Sequence, residues 1–522
     1  MSQAKGTAAA WVEAKMPALS EWNATIWDFG ETAWREYRSA AWYVERLEAE
    51  GFTVEAGSGG MPTAFCATWE NGSGPTIGGY AEYDGVPGNC QAADVVKRAR
   101  DGLSPYAGGH TDPHSALGMG ALGGFLAAKE AMERHNVPGC LKLFGEPAEK
   151  VRGSKPIHAA RGYYDDLDAA ISFHPFYMLP LCNTVRWDTH CSVGYGFIYS
   201  FTCNEPETWL SGDSDSPIAA SHAAVRAPGA NDAVVQMYLS GKALKEHILP
   251  NASGWSMNEV ILNAGQATAD NLPAQMAQIM YFARVPTLEM AEQVVRALDH
   301  YAESAARLAH CNWRRDWVAK SRPGLANHAM ARLTYRNLEQ VGPPRFEGEA
   351  IRLAQEIQRN LGLEPMERPF LPAIEELIEP EAAEQELRRL IPPWQEHFTS
   401  DDYTEFCWHA PTVRLYIGRP ALAAPEPGTA YPHWVMNALG GLAPCIDPMI
   451  ACAAKTIALT ALDLLEQPAL LAEAKAEFDA RTGGGIGGEK WMAPLCDYDP
   501  PLDFRWPEYV ETPRGRSWVI PA

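Results

Sequence analysis

What most constrains the fold is an alternation near the start of the chain, where short β-like runs ending in polar loops are followed by helical patterns. FTVEA, TAFCATW and TIGGYAEYD come first, the last of them after the turn Asn71-Gly72-Ser73-Gly74-Pro75. SALGMGALGGFLAAKEAMERHN, from Ser115 to Asn136, reads as a small-residue-rich helix. Pro138-Gly139 breaks it, and the buried-type strand CLKLFGE follows. A second strand–loop–helix unit ends in DAAISFH at His174. Strands and helices that alternate in this way predict an α/β sheet covered on both faces. Upstream, the periodicity from about Ser20 to Glu50 predicts a helix stopped by Gly51.

Beyond about Ser192 the pattern changes. YGFIYSFTC, a Ser/Asp/Pro-rich loop, a helix near Ala230–Glu246, MNEVILNAG, AQIMYFARV and a helix from Leu288 form a compact α+β pattern. After it come further long helices, the strand-like TVRLYIG and the helix IACAAKTIALTALDLLE, with Pro369–Arg389 reading as surface helix and linker. A chain of 522 residues exceeds what one hydrophobic core usually serves. The expected division is a first domain interrupted by a second: 1–191 and 319–522 around an insert at 192–318.

Composition narrows the partners. A net charge of −22 opposes binding to nucleic acid, whose phosphates call for a basic surface. No uninterrupted apolar run approaches the ~20 residues of a membrane span, and the N-terminus does not read as a secretory signal, so neither membrane nor export is expected. Eleven cysteines without a C-x-x-C pair read as reduced thiols in a cytoplasm. The seventeen tryptophans are mostly core or interface residues, although some suit an aromatic pocket.

The strongest local signal is Gly108-Gly109-His110-Thr111-Asp112-Pro113-His114-Ser115. Imidazole nitrogens and a carboxylate at alternating positions, just before a helix, can converge on a borderline cation. Phe144-Gly145-Glu146-Pro147-Ala148-Glu149-Lys150 follows a strand and places Glu149 where a general base for water would face a cleft. A helix-start glutamate is the plainer alternative. His174 adds an imidazole from a third strand end.

The runs AEYDGVPG (Ala81–Gly88), GGHTDPHSALGMGALGGFLAAK, FGEPAEK and ISFHP resemble the amidohydrolase/aminoacylase/carboxypeptidase superfamily of dinuclear metallopeptidases, in its aminobenzoyl-glutamate hydrolase-like branch. The resemblance extends to the middle segment and to the C-terminal CAAKTIALTALDLLEQPALLAEAKAEF. It implies a mixed-sheet metallopeptidase catalytic domain with an inserted α+β lid that mediates dimerisation or a higher homo-oligomer. It also implies Asp112, His114 and His174 as metal ligands, Glu149 as general base and His222 as a catalytic histidine of the lid. Arg284 and Asn271 would bind substrate, and Asp84 would orient a ligand from behind, a place that His110 shares.

Two departures follow from the same resemblance. The family's second glutamate ligand is Lys150 here, and its late histidine falls on Asp447. An ammonium offers no lone pair and repels a cation, so Lys150 is expected to pair with Asp447 or Asp112. The expected centre therefore holds one divalent transition metal (Mn, Zn, Co or Fe) on Asp112, His114 and His174. Three functions compete. The favoured expectation is displacement of the amino group of an activated aromatic amine by hydroxide generated at the metal. A divergent family member acts in this way on 5-nitroanthranilic acid. The alternatives are single-metal hydrolysis of an N-acyl or aminobenzoyl amino acid, and a non-catalytic ligand-binding relative.

Overall fold

The alternating stretch builds a seven-stranded mixed sheet from β1 (Thr53–Ala56), β2 (Phe65–Asn71), β3 (Thr76–Ala81), β4 (Gly139–Gly145), β5 (Ala169–Phe176) and β6 (Thr184–Val185), joined much later by β11 (Thr412–Gly418). The computed structural model describes residues 2–176, 178–203, 227–248, 253–265, 273–513 and 515–519. The order is β1-β2-β4-β3-β5-β11-β6, in which β4, β3, β5 and β11 run parallel and the flanking pairings are antiparallel. All four parallel strands therefore deliver their carboxyl ends to one edge, which is where open α/β sheets bind ligands.

Helices α1 (Gln3–Phe29) and α2 (Tyr37–Ala49) precede the sheet, α3 (His114–His135) packs on β3, β4 and β5, and α4 (Ser154–Ala160) follows β4. The helix expected from Ser20 to Glu50 is in fact two helices. The first starts at Gln3, continues through Pro17 and stops at Gly30, which takes a left-handed φ of 50°. The Gly30 amide bonds back to the Ile26 carbonyl, and the buried Arg100 guanidinium reinforces the end by donating to the carbonyls of Trp27 and Asp28. Along α3 the small residues let other helices come close. A methyl group on Gly124 would lie 2.7 Å from Ile457.

A second sheet, order β10-β7-β9-β8 and antiparallel throughout, comprises β7 (Val193–Cys203), β8 (Ser256–Asn263), β9 (Met276–Val285) and β10 (Cys311–Ser321). Helices α5 (Ala230–Lys245) and α6 (Leu288–Leu308) pack on it around a separate core that includes Phe197, Ile279 and Leu298. β10 runs to Ser321, past the expected boundary at 318.

The chain then returns to the first sheet through α7 (His328–Val341), α8 (Glu349–Asn360), α9 (Pro380–Arg388), β11, α10 (His433–Gly441), α11 (Ala443–Glu466) and α12 (Pro468–Thr482). Among the described residues α11 is long and apolar enough to cross a membrane, with a mean hydropathy of 1.5, contrary to the expectation that no segment is. Its apolar window is 83% buried against α3, α1 and α7, so its hydrophobicity serves the core.

Candidate metal centre

Each parallel strand brings a chemistry-bearing residue to the shared edge. After β3 the chain stays extended and its side chains alternate. Tyr83 turns into an aromatic cluster with Tyr43 and Phe65, while Glu82 and Asp84 lie to the other side, both fully buried. After β4, Ala148 (φ 58°) and Arg152 (φ 57°) adopt left-handed backbone and bracket a tight turn carrying Glu149 and Lys150. Such conformations are costly for non-glycine residues, and surrounding hydrogen bonds over-determine them here. Glu36 accepts from the Ala148 amide at 2.7 Å, and Asp84 accepts from the Lys150 amide at 2.7 Å. His174 sits within β5 opposite Tyr416 of β11, and α3 opens with His114.

The hydrogen bonds of the two histidines favour the same tautomer. His114 donates from Nδ1 to Asp84 Oδ1 at 2.6 Å, and His174 donates from Nδ1 to the Pro175 carbonyl at 2.7 Å. Both Nε2 lone pairs are thereby left facing inward. Asp112 Oδ2 lies 3.8 Å from His114 Nε2 and 3.5 Å from His174 Nε2. Glu82 Oε2 is 3.3 Å and Glu149 Oε2 is 3.4 Å from His114 Nε2. Neither of these two carboxylate oxygens has a hydrogen-bond partner, although both are buried. Buried carboxylate oxygens beside inward imidazole lone pairs form a donor set that a divalent cation fits, one it would share with the Lys150 ammonium 3.3 Å from Glu149 Oε2. Glu82, His114 and His174 lie close enough together to bind one, as do Asp84, His114 and Glu149.

Burial pushes the His174 imidazole down to about 4, against the pull of Asp112, so it is neutral and able to ligate at physiological pH. Burial opposes the charged form of Asp112, but Lys150, His174, His114 and Arg419 outweigh it and hold the carboxyl well below its usual range. Lys150 takes a central place: its Nζ is 2.9 Å from Asp112 Oδ2, 3.1 Å from His114 Nε2 and 3.3 Å from Glu149 Oε2.

The structure thus brings Asp84, Asp112, His114, Glu149, Lys150 and His174 into one cluster. Three other expected residues lie outside that inner group. His110 is buried with Nε2 3.3 Å from the Ile26 carbonyl, and burial pushes it down to about 3. Arg284, on β9, lies over the Phe282 ring and beside Arg152, which pairs with Glu149; burial, then the Arg152 charge, brings Arg284 down to about 10. Asp447 corrects an expectation. It hydrogen-bonds Ser20 from the start of α11 and leaves Oδ1 without a partner, while the pairing with Lys150 belongs to Asp112. His222 and Asn271 lie outside the described residues.

Four contributors escaped the sequence reading. Glu82 had a legible signal, since it stands two residues from Asp84 in an extended run. Arg419 ends β11 with Nη1 3.5 Å from Asp112 Oδ1, Arg152 holds Glu149, and Lys155 bridges Glu82 and Asp402. Arg152 stands three residues from Glu149, but nothing local in the sequence marks Arg419 or Lys155.

No family profile matches the chain. It is 27% identical over 352 residues to one of the subunits of p-aminobenzoyl-glutamate hydrolase from Escherichia coli (strain K12), covering 67% of this chain and 68% of that one. The chain is a homologue of this hydrolase subunit. In fold, the homologue superposes on the aminobenzoyl-glutamate utilization protein from Klebsiella pneumoniae with a TM-score of 0.53 at 14% identity, covering 87% of this chain and 97% of that one. A protein described as an aminohydrolase from methicillin-resistant Staphylococcus aureus gives 0.51 at 14% identity, with coverage of 88% and 100%. Both likenesses concern architecture, and the α/β class with an additional sheet unit agrees with them.

Proposed function

We propose that this hydrolase homologue is a single-metal amidohydrolase that cleaves an aroyl or acyl amino acid, with p-aminobenzoyl-glutamate as the model substrate. The observation that carries the reading is the pair of inward Nε2 atoms beside the buried Oε2 of Glu149, which accepts no hydrogen bond, in a relative of a hydrolase of that name. Asp112, His114 and His174 would hold the ion. A divalent cation at this place lowers the pKa of water and polarises a carbonyl. Glu149 then takes the proton from water at Oε2 and returns it to the leaving amine. Arg152 fixes Glu149 by gripping its other oxygen.

Arg284 suits a substrate carboxylate. No ion pair with it is seen among the described residues, and the Arg152 charge acts on it unfavourably, so an anion would relieve both. Lys150 supports a count of one ion, because its ammonium already sits where a second cation would share Asp112, Glu149 and His114. Aryl-amine displacement, the first expectation from sequence, gains no support from the relatives, and amide hydrolysis takes its place.

In this reading 1–191 and 319–522 form the catalytic domain and 192–318 the lid. A lid-mediated homodimer is supported by β8, the outermost strand of its sheet among the described residues, and by the exposed apolar residues Val235, Leu239, Val260 and Ile261. Eleven free cysteines fit a reducing cytoplasm. The deciding assay incubates manganese-loaded protein with p-aminobenzoyl-glutamate and, separately, with 5-nitroanthranilate. Release of glutamate from the first supports the proposal. Ammonia from the second, with no glutamate from the first, refutes it.

A further inference from the structure

Behind the two histidines lies a fully buried ion network that the proposed reaction does not use. Lys155, on α4, places its Nζ 2.7 Å from Glu82 Oε1 and 2.8 Å from Asp402 Oδ1, and all three side chains are wholly inaccessible. An ammonium in such a place is costly unless both carboxylates stay charged. The grip is one-sided. Glu82 gives Oε1 to the lysine and aims Oε2 at the centre, 3.3 Å from His114 Nε2, where it finds no hydrogen-bond partner. The Nδ1 of His114 already donates to Asp84, so Nε2 carries a lone pair and has no proton for Glu82. A carboxylate oxygen and an imidazole lone pair therefore face each other across 3.3 Å; the Lys150 ammonium lies 3.1 Å from that nitrogen but makes no hydrogen bond to Glu82 Oε2, which stays an uncommitted anionic donor at the centre.

We propose that Glu82 is a further ligand of the bound ion, held in place by Lys155, so that the ion takes two imidazoles and two carboxylates while Glu149 is left as the base. Lys155 acts as a positioning residue. By occupying Oε1 it fixes the carboxylate as a one-oxygen donor and sets its rotamer. The inference rests on the metal-site reading above and adds to it a ligand outside the three residues expected from the sequence.

The test is calorimetric titration of Mn2+ into metal-stripped wild-type protein and Glu82→Gln. The amide keeps the shape of the side chain and can still accept from Lys155, but it loses the anionic donor. The expected result is that Glu82→Gln melts as a folded protein and binds Mn2+ at least about tenfold more weakly, in line with the loss of a group supporting a metal site. A folded Glu82→Gln that binds as wild type does overturns the proposal. Failure of wild type itself to bind Mn2+ overturns the metal-site reading and this inference with it. The unmodified protein provides a second measurement that needs no variant. In a Zn2+-loaded crystal, Glu82 Oε2 is expected at about 2.0–2.2 Å from the ion. A Glu82 oxygen outside ligating distance, with the ion bound on His114 and His174, would contradict it.

Discussion

Asp84 accepts the Nδ1 proton of His114 at 2.6 Å through one oxygen and the backbone amide of Lys150 at 2.7 Å through the other. One carboxylate thus fixes both the tautomer of an expected ligand and the turn that carries Glu149. Asp84→Asn keeps an acceptor but loses the charge and can present its NH2 to an amide that already donates. Metal affinity is expected to fall roughly 10- to 100-fold. Mn2+ titration of the two proteins checks this, and an unchanged Kd would separate Asp84 from the centre.

Glu149→Gln should leave the ion in place and remove the proton acceptor. Turnover of p-aminobenzoyl-glutamate is expected to fall by about 10²- to 10⁴-fold, with Mn2+ stoichiometry unchanged. Steady-state rates and metal analysis on the same preparation read both quantities.

Lys150 competes with the metal for shared donors. Two unit charges about 4 Å apart interact by about 4 kcal/mol at a protein-like dielectric, and a third of that is about tenfold in affinity. Lys150→Met, which keeps much of the side-chain length and drops the charge, is therefore expected to bind Mn2+ at least about tenfold more tightly. Weaker binding would mean that the ammonium supports the ion instead of opposing it.

Asp447 carries a pH signature of its own. Burial raises its carboxyl to about 6, partly offset by Ser20, so the folded protein holds this proton more tightly than the unfolded chain does. For an acid raised in this way, stability is lost as pH rises from the ordinary carboxylate value near 4 towards 6. Asp447→Asn is expected to melt higher than wild type at pH 7 and together with it near pH 4. Melting curves across that range decide; a difference that grows towards low pH would contradict the sign.

Much of the fold was legible because its signals are local. The glycine- and alanine-rich run of α3 and the apolar strands β4 and β5 appear within a residue or two of their expected places. α1 was misread, although Gly30 is a local stop that Arg100 only reinforces, because Pro17 lies inside a helix that tolerates it. The same division holds at the centre. Asp112, His114, Glu149 and His174 announce themselves by residue type at strand ends and at a helix start. Lys155 and Arg419 matter through what they touch, and ion-pair partners separated by long stretches of chain leave no pattern to read, whereas Arg152 stands only three residues from Glu149. Asp447 shows the converse, a residue assigned by resemblance that packs against Ser20 of another helix.

The central claim is that one divalent ion and the Lys150 ammonium share this cluster of carboxylates and imidazoles. The most direct measurement is the metal content per chain after saturation with Mn2+ and removal of free ion. One ion per chain is predicted for wild type, falling towards zero in a His114→Ala, His174→Ala double variant. Two ions per wild-type chain, or one ion that the double variant retains, would contradict the account.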